Sequence, residues 1–352
     1  MKSFLRNALA VGLACGFVWL LIKLGYLDLS LTWNQIKDNP LLVTAIMLCQ
    51  WLVLTLLGAR YQSLLRRSEI VCGWKNVVGA TVVSTAVGQW APASVGVIEV
   101  IRLALLKNNS TKSNTEESVS LMKLAVVSFI DRVAGFLAML VFGGVSCIAL
   151  VIHFLIAKEK EHIFGFMILG SISIVAALVV ITAPYIATRS PFFKKNILID
   201  GIDSPSKLRK ILHKFIELFW LFCERLQSPK SLLVPVGYGI ASTGISVIVF
   251  SLCSQLIKMP ISIWSFAAVF PIMSILAVFP LGFAGIGGQQ FVAVALFGVL
   301  GVSSQAAAQA SFVQNALSLI SLSLFAMLFL KGASRALLKK VMVKATAEPS
   351  LP

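Results

Sequence analysis

Acidic side chains are scarce in this chain. Of its 352 residues only 14 are Asp or Glu, against 30 Lys or Arg, and charged residues of both signs make up 12%. A soluble domain carries about a quarter of its residues as charges, so that class is excluded. Histidine occurs three times, at His153, His162 and His213, with no shared motif. The six cysteines, Cys15, Cys49, Cys72, Cys147, Cys223 and Cys253, show no paired spacing, so neither a disulfide framework nor a metal site is expected. No glycine loop ending in Lys-Ser or Lys-Thr is present, which argues against ATP. No cofactor is expected. The longest polar interval, 189–230, is roughly 40 residues, too small for a catalytic domain of ordinary size.

What the chain does have is apolar length. Hydrophobic residues make up 58% and the mean hydropathy is +0.92, the composition of an integral membrane protein. Spans are expected at 8–27, 41–58, 124–153, 163–188, 232–257 and 305–330. The first resembles a signal peptide, but its ~20 apolar residues and the lack of a small-x-small cleavage site predict a span that stays. The net charge of +16 does not point to nucleic acid, because its placement follows the bilayer. Lys and Arg crowd around Lys2 and Arg6, 60–75, 102–123, 189–230 and the segment from Lys331, whereas the alternate loops hold only Lys23, Lys37, Lys158, Lys160 and Lys258. The positive-inside rule then makes both termini cytoplasmic in a multi-pass protein of the cytoplasmic (inner) membrane. Arg60, Arg66 and Arg67 read as anchors at the inner face, and 107–118 as a solvated loop.

Two apolar stretches are too short to cross. Val77 to Ala91 and Ala93 to Leu106 would rise only ~21–23 Å each as helices, against a hydrocarbon core of ~30 Å. Both flanks are basic, which predicts a re-entrant hairpin broken at Pro92 and Gly96. A second broken pair, Trp264 to Phe279 and Phe291 to Leu300, surrounds Pro280, Gly285 and Gly287. Each half then reads span, span, hairpin, span, with the hairpins entering from opposite sides, as in transporters built from inverted repeats. The expected fold class is an all-α polytopic membrane protein with about six spanning helices plus two re-entrant helical hairpins. A membrane domain at 1–331 would comprise a first repeat, 1–156, and a second, 163–331. A cytoplasmic amphipathic linker at 189–230, starting a helix near Pro205, and a cytoplasmic tail, 332–352, complete the expected organisation.

Ionisable residues inside a bilayer are functional candidates by default. Glu99 and Arg102 lie one helical turn apart, close enough to pair. Asp131 and Arg132 are adjacent, diverge by about 100° on a helix, and so each needs a partner on a neighbouring element. Gln290 follows the second break, and Ser311, Asn315 and Ser318 share one face of the last span. The two breaks match weakly, Pro92-x-x-x-Gly96-x-x-Glu99 against Pro280, Gly285, Gly287 and Gln290.

These residues resemble the flippase-like transmembrane domain of the lysylphosphatidylglycerol synthase (multiple peptide resistance factor-type) family and its stand-alone relatives, over roughly 5–331. The landmarks are Pro92, Gly96, Glu99 and Arg102, then Asp131-Arg132 where Glu-Arg is usual, then Pro280, Gly285, Gly287 and Gln290 where the last position is usually Glu. The neutral Gln290 puts in doubt any mechanism needing a second carboxylate. The soluble aminoacyl-transferase domain of the synthases has no counterpart in the sequence, so synthesis of lysyl lipid is not implied. The resemblance implies a lipid translocase rather than an enzyme, moving a polar-headed phospholipid or polyprenyl-linked glycolipid. Glu99, Arg102, Asp131, Arg132, Gln290 and Asn315 would bind the head group. The partner would be an anionic, aminoacylated or polyprenyl-linked membrane lipid, with no nucleic acid and with a homo-oligomer left open. The competing readings are a membrane-embedded transferase using a polyprenyl-phosphate donor, a non-catalytic envelope scaffold, and, for the charges alone, an ion-pair network that merely pins the first hairpin.

Overall fold

The computed structural model describes residues 23, 29–89, 94–107, 110–112, 115–157, 163–189, 230–259, 261–276 and 288–346. The first span apart from Lys23, the breaks at Pro92, Pro280, Gly285 and Gly287, the loop 158–161, the linker 190–229 and residues 347–352 lie outside the described residues.

Five helices are long and apolar enough to cross a bilayer, and they coincide with five of the expected spans. A short helix α1 (Leu29–Asp38) leads into α2 (Pro40–Arg67). Pro40 opens α2 where a missing N–H leaves nothing unsatisfied. At 28 residues α2 rises ~42 Å, well beyond the hydrocarbon thickness. The apolar period carries it past the basic cluster: Leu54, Gly58, Tyr61 and Leu65 are all buried. Arg60 therefore lies on a packed helix and is itself buried, which corrects its reading as an inner-face anchor.

The first hairpin consists of α3 (Trp74–Gln89) and α4 (Ser94–Lys107), two arms that pack on each other. Every residue of α3 from Val77 to Ser84 is buried. Close approach depends on small residues: a Cβ at Gly88 would collide with Ile98 Cγ1 on the other arm, and one at Gly79 would stand 2.8 Å from Phe329 Cδ1. The base of the hairpin is closed by a small antiparallel sheet. β1 (Ile70–Cys72) pairs with β2 (Ser110–Lys112), and β2 pairs with β3 (Thr115–Ser118). Hydrogen bonding between 70–72 and 110–112 brings the entry and exit of the hairpin together. Part of the segment read as a solvated loop, 107–118, is thus strand, because its backbone groups find partners only once α3 and α4 have folded back.

Helix α5 (Leu121–Ala157) and helix α6 (Ile163–Arg189) follow and pack on each other. Then α7 (Lys230–Leu256) leads into the second short pair, α8 (Ile263–Leu276) and α9 (Gly288–Gly298). The last helix, α10 (Ser304–Thr346), continues through much of the stretch expected as a tail.

The packing pairs exchange under a swap of halves. Arm α3 packs on α2 and on α10, while α8 packs on α7 and on α5. Likewise α2 touches α5 and α10, as α7 touches α10 and α5, and α2 and α7 pack on each other. The core beneath the first hairpin uses Leu124 to Leu140 of α5 with Leu322 and Ala326 of α10. The core beneath the second uses Cys147 to Phe154 of α5 with Ala307 and Ala310 of α10. The two hairpins therefore sit at opposite ends of the same two long helices.

Candidate functional site

The charges expected near the first hairpin converge, and Arg60 joins them. Arg60 Nε donates to Asp131 Oδ1 at 2.7 Å and its Nη2 to Oδ2 at 3.2 Å. Asp131 Oδ2 also accepts from Arg102 Nη1 at 3.2 Å. Arg102 Nη2 in turn donates to both oxygens of Glu99, each at 2.7 Å. Glu99 Oε1 then accepts from Arg132 Nε at 2.6 Å, and Arg132 Nη2 lies on the same oxygen. The result is an alternating row, Arg60, Asp131, Arg102, Glu99, Arg132, drawn from α2, α4 and α5. Alternation gives every charge an opposite neighbour, the condition for tolerating ions away from water.

Local packing holds the row in place. The Arg102 guanidinium lies 4.2 Å above the Tyr61 ring, a cation–π contact. The Tyr61 hydroxyl hydrogen-bonds Ser128 Oγ at 2.8 Å. One turn beyond Asp131, Gly135 makes room for the Arg60 head: a Cβ there would be 2.7 Å from Arg60 Nη1. Nothing in the local sequence around Arg60 announces this role. The signals were the buried period that continues past it and the missing side chain at Gly135.

Burial is graded along the row. Arg60, Arg102 and Asp131 are buried, the Glu99 side chain is 20% exposed, and that of Arg132 is 42% exposed. Three guanidinium groups face two carboxylates, so the row carries a surplus positive charge and its open end is a cation. Arg102 Nε is buried with no hydrogen-bond partner among the described residues. The arrangement suits binding of an anion at the open end. It has no group placed as a nucleophile, and among the described residues no cluster of His, Cys, Asp and Glu could hold a metal.

The other expected site residues lie in the second half. Gln290 is fully buried near the start of α9 and Asn315 is buried on α10. Gly96 lies in the first turn of α4 and is exposed. Ser318, expected on the same face as Asn315, accepts a hydrogen bond from Gln50 Nε2 at 2.6 Å. That part of the face is thus taken up in joining α10 to α2, together with the bond from Trp51 Nε1 to the Ser321 carbonyl. Cys49, Cys72, Cys147 and Cys253 are free thiols. Burial pushes the Cys72 thiol up from its ordinary value.

No curated protein matches the chain. Residues 7–326, however, match the family model of the lysylphosphatidylglycerol synthase TM region, which spans both hairpins and all five described spans. This chain belongs to the lysylphosphatidylglycerol synthase TM-region family.

Proposed function

We propose that this protein is a lipid translocase of the cytoplasmic membrane, moving a phospholipid or polyprenyl-linked glycolipid whose head group carries a phosphate. The observation that carries this reading is the graded row of charges. Its sealed end, Arg60 with Asp131, fixes α2 to α5, and its open end presents Arg132 with the surplus positive charge. A guanidinium tied through one edge to Glu99 still has donors for a phosphate oxygen, and charge-assisted bonds of this kind are the strong ones. The acyl or prenyl chains remain in the bilayer throughout. Inversion of the two halves is supported by the hairpins lying at opposite ends of α5 and α10, and it supplies two access routes to one site in the manner of other repeat-built transporters. The basic loops support an orientation with both termini in the cytoplasm.

Reconstitution into vesicles with a fluorescent phospholipid tests the proposal. The native chain should equilibrate the lipid between leaflets, and Arg132→Gln should slow this at least tenfold while folded yield holds. Equal rates for the two proteins, or for native protein and empty vesicles, would refute it.

A further inference from the structure

The second half contains an uncharged counterpart of the charged row. On α5 the run Ser128-Phe129-Ile130-Asp131-Arg132 stands as far from the start of its helix as Ser311-Phe312-Val313-Gln314-Asn315 does on α10. Glu99 and Gln290 stand equally far before the ends of α4 and α9. The spans that precede the two hairpins, α2 and α7, are each followed two residues on by a non-glycine residue with positive φ, Glu69 at 57° and Lys258 at 56°. Counting back equally from these pairs Arg60 with Val249 and Tyr61 with Phe250. The packing supports the register: Tyr61 and Phe250 are both fully buried, Tyr61 lies under Arg102 of α4, and Phe250 stacks on Phe297 of α9 with centroids 5.6 Å apart.

The pattern of replacement is selective. The sealed scaffold has become apolar, with Val249 for Arg60 and Phe250 for Tyr61. Four positions have stayed polar and carry no charge, with Gln290 for Glu99, Ser311 for Ser128, Gln314 for Asp131 and Asn315 for Arg132, while Ala293 stands where Arg102 does. Two of these polar groups have lost the partners that their counterparts keep. Ser311 is fully buried and its Oγ has no hydrogen-bond partner among the described residues, and the same holds for the buried Oε1 of Gln314. Ser128 is satisfied by the Tyr61 hydroxyl and Asp131 by Arg60, groups that Phe250 and Val249 lack. A buried polar atom without a partner is costly, and leucine or alanine would remove that penalty. Packing alone gives no reason to keep them.

We infer that Gln290, Ser311, Gln314 and Asn315 form a second half-site that hydrogen-bonds an uncharged, hydroxyl-bearing head-group moiety, a glycerol or a sugar. Amides and hydroxyls both donate and accept, which matches hydroxyl groups. No carboxylate stands among these four residues to neutralise a cation, and no guanidinium to neutralise a phosphate. The inference rests on the translocase reading for the identity of the ligand as a lipid; with the hairpins at opposite ends of α5 and α10, a crossing head group would meet the ionic row and this half-site in turn.

Binding by native mass spectrometry of the purified full chain tests it, with phosphatidic acid, phosphatidylglycerol and a diglucosyl diacylglycerol as probes. Ser311→Ala with Gln314→Leu should weaken the glucosyl lipid about tenfold, the effect of one or two lost hydrogen bonds, weaken phosphatidylglycerol less, and leave phosphatidic acid within about twofold. Arg132→Gln should do the reverse, weakening the two phosphate lipids and sparing the glucosyl lipid. Phe250→Tyr provides a variant that removes no polar atom: it gives Ser311 the partner that Ser128 has, so it should weaken the hydroxyl-bearing lipids while thermal stability holds or rises. Equal losses for all three lipids in the double variant, or none, would overturn the half-site. Selective binding by a chain that moves no lipid in vesicles would instead refute the translocase reading and leave the half-site standing.

Discussion

Replacing Arg60 by Met removes the sealed end of the charged row. Asp131 would lose the bonds at 2.7 and 3.2 Å and keep only Arg102 Nη1 at 3.2 Å, a guanidinium already shared with Glu99. Two unit charges ~4 Å apart attract by ~4 kcal/mol at an effective dielectric constant of about 20. That agrees with the ~3–5 kcal/mol found when one partner of a buried pair is removed. Set against a total stability of ~5–15 kcal/mol, the loss is a large fraction, and folded yield should fall severalfold. Thermal unfolding of the detergent-solubilised protein, followed by fluorescence-detected size exclusion, reads it directly. Arg66→Met is the control, since Arg66 is exposed on the same helix and its loss should cost under ~1 kcal/mol. Adding Asp131→Asn to Arg60→Met neutralises the stranded carboxylate and should restore most of the loss, because the amide can still accept from Arg102. If Arg60→Met lowers the midpoint no more than Arg66→Met, or if the second substitution restores nothing, the row does not hold α2 to α5 and the reasoning fails.

Other outcomes follow from the same geometry. Gly135→Ala should destabilise by ~1–3 kcal/mol through overpacking, since the new Cβ would meet Arg60 Nη1 at 2.7 Å, and Gly135→Ala combined with Arg60→Met should show less than the summed loss in the same unfolding assay. Cys72 and Ser110 are directly paired across β1 and β2, so Ser110→Cys should cross-link to Cys72 under mild oxidation, seen as a shift in the proteolytic fragments; a chain in which 74–107 ran straight across the bilayer would give none. Cysteine introduced at Lys160 should react with an impermeant reagent added outside intact cells while one introduced at Arg209 should not, and the opposite pattern would reverse the proposed orientation.

Much of the architecture was legible because membrane spans announce themselves through length and hydropathy, and the first hairpin through arms too short to cross. The i, i+3 spacing of Glu99 and Arg102 was legible for the same kind of reason, since helix geometry alone brings them together. Arg60 was misread because charge position along a chain reports which side a loop lies on, and three arginines after an apolar run look alike by that measure. Only the third dimension separates them: Arg60 points at Asp131 across a gap left by Gly135, whereas Arg66 projects to the surface. The sheet was missed because strands of three or four residues are too short to show a period, and β1 pairs with a segment 40 positions further on. The relation between the halves is the most instructive case. A motif search that follows charge sees Asp131-Arg132 and finds nothing like it later, since Gln314-Asn315 has lost both charges. Once helix ends and packing partners set the register, these two positions prove polar in both halves and ionic in only one, while those of Arg60 and Arg102 become Val249 and Ala293. The proposed half-site would need that difference, because a second ionic row would hold the phosphate over again, and a fully apolar copy would offer the hydroxyls nothing.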